Sequence, residues 1–162
     1  MARSIDIPAL RARLLAPIQR VAFLGPTLAR LTVGLVFMHT GWGKLHDLEK
    51  VTDFFTDLHI PAPAFQARLV ACTELIGGLA MLLGLGTRLA AIPLSITMVV
   101  AIATAKRDEL HGVFDLVGFE EWSYLVFFVW LALAGAGPLS LDHLVARRLE
   151  GKKRLDGETA QP

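Results

Sequence analysis

Four apolar stretches, each near the roughly 20 residues that cross the hydrocarbon core of a bilayer, occupy most of this chain of 162 residues. They run from about Val21 to Lys44, Phe65 to Leu85, Thr87 to Ala105 and Trp122 to Ala136. The pattern predicts an all-α membrane protein, a four-transmembrane-helix bundle. With 54% hydrophobic residues and a mean hydropathy of +0.53, the chain has the length of one domain but is too apolar for an ordinary soluble one.

The basic residues set the expected orientation, because Lys and Arg near helix ends favour the cytoplasmic face. Ten of them flank one side: four in the first twenty residues, Arg88 in the turn between the second and third stretches, and five in the tail. Five flank the other side, and Arg30 falls inside the first stretch. Both termini are therefore expected in the cytoplasm, with the protein a multi-pass component of the plasma or inner membrane. A net charge of only +1 leaves no electrostatic footprint for nucleic acid.

Three segments follow. Residues 1–20 read as a cytoplasmic amphipathic lead-in at the lipid surface, 21–145 as the four-helix membrane domain, and 146–162 as a basic, disordered cytoplasmic tail. The first stretch follows an arginine-bearing N-terminus as a signal peptide would. It is a full span long and has no evident small-residue cleavage site, so a retained helix is expected. The Gly84-Leu85-Gly86-Thr87-Arg88 turn makes the second and third helices antiparallel neighbours. Between Leu45 and Ala64 the mixture of Asp47, Glu49, Asp53 and Asp57 with Phe54 and Phe55 predicts a short amphipathic helix on the bundle mouth.

Ionisable groups inside a span are costly, which singles out Arg30 and Glu74. If both spans are centred on the bilayer, each residue lies within about 3 Å of the mid-plane, so a buried Arg30–Glu74 ion pair is expected. Such a pair could register neighbouring helices, or serve as a proton relay or clamp for a polar head group such as a quinone carbonyl. Arg30, Gly34, Phe37, Gly41 and Lys44 share one helical stripe, and Gly77 with Gly78 offers a matching close approach on the second helix. His39 at the outer end of the first span is the candidate proton carrier with Glu74 and Arg30. The candidate quinone site comprises Arg30, Lys44, Glu74 and Trp130. His46, His59 and His111 gather on the same side as His39, but without a ligand spacing that marks a metal. A lone Cys72 excludes an internal disulfide or a Cys-pair redox centre within the chain.

The runs Arg30-Leu-Thr-Val-Gly-Leu-Val-Phe-Met-His-Thr-Gly-Trp-Gly-Lys44 and Glu74-Leu-Ile-Gly-Gly-Leu-Ala-Met-Leu-Leu-Gly-Leu-Gly-Thr-Arg88 resemble the DoxX family of small four-helix membrane proteins. His111-Gly112, Glu121 and Gly137-Pro138-Leu-Ser-Leu-Asp142 resemble that family's later part. The resemblance spans about Leu28 to Val145. It singles out Arg30, Gly41, Lys44, Glu74, Gly78, Arg88, His111 and Asp142, and implies a small subunit of a quinone-linked or thiol and oxidative-stress redox system. If catalytic, the chain would act as a subunit of a quinone-linked oxidoreductase, with the lipid bilayer and a redox partner subunit or further copies of itself as partners. The competing expectation is a non-enzymatic membrane assembly factor or scaffold, in which the charge pair only fixes helix registry.

Overall fold

The computed structural model describes residues 16, 17, 19 and 21–158, with side chains to residue 150. The lead-in expected over 1–20 thus lies almost wholly outside the described residues. The described chain is helical, with no strand. Its elements are α1 (Leu24–His46), α2 (Leu48–Asp57), α3 (Pro63–Leu83), α4 (Thr87–Thr104), a 3-10 turn (Arg107–Glu109), α5 (Val113–Gly118), α6 (Glu120–Ala134) and α7 (Leu141–Glu158).

Local chemistry sets the boundaries. Asp47 breaks the chain after α1 and accepts a hydrogen bond from the Lys50 N–H, capping α2. Pro63 opens α3, where its missing N–H costs nothing. Gly84, at φ +65°, closes α3 in a Schellman arrangement, with the Gly84 N–H on the Met81 carbonyl and the Leu85 N–H on that of Ala80. Gly86, at φ +60°, turns directly into α4. α3 and α4 are long and apolar enough to cross a membrane by length and composition. Polar residues interrupt α1, and α6 is only 15 residues long.

α1 and α3 pack antiparallel through glycine. A Cβ on Gly78 would come 2.3 Å from the Met38 nitrogen, and one on Gly41 2.3 Å from the Leu75 nitrogen. Gly34 likewise lies against Leu82. This register offsets the helices. α1 ends level with about Val70, and α3 runs on for roughly two more turns beside the amphipathic α2. α4 packs on α6, and Val33, Phe37, Met81, Leu94, Met98 and Phe128 form the core. Phe37 meets Phe128 edge-on at 4.8 Å between ring centres. Large apolar side chains also point outward at helical spacing: Leu28, Leu31 and Leu35 on α1, Ile76, Leu79 and Leu83 on α3, Leu89, Ile92 and Ile96 on α4.

Two expectations change. The tail expected to be disordered from residue 146 is helical to Glu158. The Ser140 hydroxyl accepts from the His143 N–H at 3.2 Å and starts the helix, and the Leu, Arg, Lys and Glu that follow are strong helix formers. The Arg30–Glu74 ion pair is not formed. The glycine register puts Glu74 level with Trp42, twelve residues along α1 from Arg30, which is about 18 Å.

Candidate functional site

On α3, Ala67, Ala71, Glu74, Gly78 and Met81 recur at helical spacing and are buried, and Ala71, Glu74 and Gly78 lie on the stretch that faces α1. Glu74 is 2% exposed, and its Oε1 accepts a hydrogen bond from Lys44 Nζ at 2.5 Å. The Lys44 side chain is 32% exposed. Glu74 Oε2 is buried and has no partner among the described residues, a condition that costs free energy unless a ligand or water satisfies it.

The pair borders a cavity of about 950 Å³. The axial offset creates it: where α1 has ended, α2 contributes Val51, Phe54, Phe55 and Leu58 in its place. Phe37 and Tyr124 also line the cavity, meeting edge to face at 5.2 Å between ring centres. Most of the lining is aliphatic or aromatic, and the charge other than the ion pair is confined to Lys50, Lys106, Glu109, Glu120 and Glu121. An apolar chamber with one buried donor–acceptor pair suits a small ligand with an apolar body and a polar edge.

Of the residues singled out from sequence, only Lys44 and Glu74 are brought together here. His39 is exposed on α1 and does not line the cavity. Trp130 is 40% exposed and its ring packs near Gly25, at the opposite end of α1. His111 is exposed, its N–H donating to Asp115. Among the described residues no group of three His, Cys, Asp or Glu side chains converges on a metal position.

Arg30 belongs to a second cluster, at the α3–α4 turn. It is 3% exposed; its guanidinium lies against Gly84, and Nη2 donates to the Leu139 carbonyl at 2.6 Å. Asp142 closes the cluster. Its carboxylate accepts from the Gly86 N–H at 2.7 Å and the Thr87 N–H at 3.2 Å, and its own N–H donates to the Gly84 carbonyl. The start of α7 thus caps the start of α4. Sequence reasoning placed Asp142 in a motif without a role. It also missed Lys44 as the partner of Glu74, although the glycines that fix the register were visible.

The sequence profile of the DoxX family matches residues 25–107, which takes in α1 through α4 and both members of the ion pair. This chain belongs to the DoxX family. Relatives of this DoxX protein include "Putative oxidoreductase CatD" of Bacillus subtilis, 34% identical over 80% of the chain and 91% of that protein. A second is "Uncharacterized membrane protein Rv3486" of Mycobacterium tuberculosis, 36% identical over 74% of the chain and 80% of that protein. "Inner membrane protein YqjF" of Escherichia coli is 26% identical over 77% of the chain and 95% of its own length. No solved structure matches the chain.

Proposed function

We propose that this DoxX-family protein spans the inner membrane with α1, α3, α4 and α6, both termini in the cytoplasm, and holds the head of a quinone beside Lys44 and Glu74 as the membrane subunit of a redox system. The outward apolar faces of these helices support the bilayer placement, since water disfavours so much exposed hydrocarbon. The excess of basic residues at the Arg88 turn and the two ends supports the orientation. The membrane names of two relatives and the provisional oxidoreductase name of CatD point the same way.

The observation that carries the ligand assignment is that Glu74, whose Oε2 is buried without a partner among the described residues, lines an apolar chamber. A quinone takes up two electrons and two protons to become a quinol, so its oxygens change from acceptors to donors. Lys44 suits the oxidised form because its ammonium can donate to a carbonyl; Glu74 Oε2 suits the reduced form because it can accept from a hydroxyl. Electrons come from a redox partner, and Lys44 with Glu74 binds and orients the ring. The reading gives no role in this site to Arg30, His39 or Trp130.

Organic extraction of protein purified in mild detergent, followed by mass spectrometry, tests this directly. Quinone at about one per chain, lost in Glu74→Gln, is the expected result. A preparation without quinone, together with unchanged quinone reduction in membranes carrying Glu74→Gln, would leave the ion pair as a device for helix registry. It would then favour a scaffold role.

A further inference from the structure

α3 and α4 leave their shared turn in contact and then part. At Gly77 a Cβ would lie 2.9 Å from the Leu94 side chain, so the two helices touch there. One turn further from the hairpin, Thr73 and Glu74 on α3 and Thr97 on α4 all border the cavity. Beyond them Leu69 lines it from one helix and Val100 from the other, with Ile96 beside Thr97. Pro93 stands where the separation begins; inside a helix it removes the hydrogen bond to the carbonyl four residues earlier, which lets the flanking turns diverge.

Leu69, Ile96 and Val100 have a second property. They are 49%, 58% and 45% exposed while also lining the cavity. They continue the outward apolar faces of α3 and α4, formed by Ile76, Leu79, Leu89 and Ile92. Exposed side chains that line a cavity mark its mouth, and those that α3 and α4 supply, Leu69, Pro93, Ile96 and Val100, are all hydrocarbon. The charged lining residues, Lys50, Lys106, Glu109, Glu120 and Glu121, come from α2, the 3-10 segment and the start of α6.

We propose that the cavity opens sideways into the bilayer between α3 and α4, and that its ligand is a lipid-tailed molecule whose tail leaves between Leu69 and the Ile96–Val100 pair. This rests on the membrane placement and the head-group site proposed above, and adds the substrate class and its route. A polar head drawn from the bilayer reaches the Lys44–Glu74 pair without passing the charged lining. The tail stays in contact with hydrocarbon throughout, so binding requires no transfer of apolar surface through water. The charged section on the other side leaves a route for protons and water to the head.

The test compares a benzoquinone carrying a long alkyl tail with the same ring lacking the tail, each added to detergent-purified protein and bound ligand read by native mass spectrometry. The unmodified protein is expected to retain the tailed form about tenfold more tightly, since the tail makes packing contacts at the gap that the bare ring cannot make. Ile96→Trp with Val100→Trp fills the gap and should weaken the tailed ligand by about tenfold, leaving the tail-less ring unaffected. Ile92→Trp, on the same exposed face but off the cavity, should change neither. Equal retention of both ligands, or a gap variant that weakens both alike or neither, would overturn the lateral route. Glu74→Gln separates the two readings. If it abolishes binding of both ligands while the gap variant does nothing, only the route fails; if it leaves both bound, or nothing binds to any form, the head-group site fails and the route with it.

Discussion

Glu74 and Asp142 are both carboxylates held at helix interfaces, yet they do different work. Glu74 uses one oxygen on Lys44 and keeps the other buried without a partner among the described residues, whereas Asp142 engages both oxygens with backbone N–H groups. Removing one partner of a buried pair strands the other charge, so Lys44→Met is expected to destabilise the protein by about 2–3 kcal/mol, less than for a fully buried pair because Lys44 is partly exposed. Lys44→Met with Glu74→Met should recover most of that loss; thermal unfolding in detergent measures both. Asp142→Ala should cost about 1–2 kcal/mol through lost capping and leave retention of a quinone at the cavity unchanged. At this scale the chemistry was only half legible in the sequence. That Arg30 and Glu74 both needed partners followed from their surroundings, but which partner each finds depends on axial register, and a common mid-plane was the wrong assumption for helices offset by about two turns.

The information about register lay in the glycines. Gly34, Gly41 and Gly78 permit backbone contact between α1 and α3, and at Gly41 and Gly78 a methyl group would overlap the facing backbone at 2.3 Å. Gly41→Ala or Gly78→Ala should therefore cost about 3 kcal/mol or more, seen as a lower unfolding midpoint and loss of any ligand held by Lys44 and Glu74. Gly43→Ala, where nothing lies within 4 Å, should be neutral or gain up to about 1 kcal/mol from helix propensity. Element positions were largely readable, because apolar runs, Pro63 and the Gly84–Gly86 turn mark them locally. The helix at Leu141–Glu158 was not, because its polar composition resembles that of a disordered tail until Ser140 and Asp142 fix its first turn.

For the whole molecule, the proposed orientation places α2 and α7 on opposite sides of the membrane. In a Cys72→Ser background, a membrane-impermeant thiol reagent should label Asp57→Cys in cells with a permeabilised outer envelope and an intact inner membrane. Glu150→Cys should react only after lysis. Both native side chains are exposed, so accessibility within the fold does not limit either reaction. Labelling of both before lysis, or of Glu150→Cys alone, would reverse or dismantle the four-span reading. The capping of α4 by Asp142 has a further consequence in the order of synthesis. The Gly86 and Thr87 N–H groups are made more than fifty residues before the carboxylate that receives them. While the ribosome is still translating α6, the α3–α4 turn is without that clasp, so the N–H groups at the start of α4 wait for a partner from the far end of the chain.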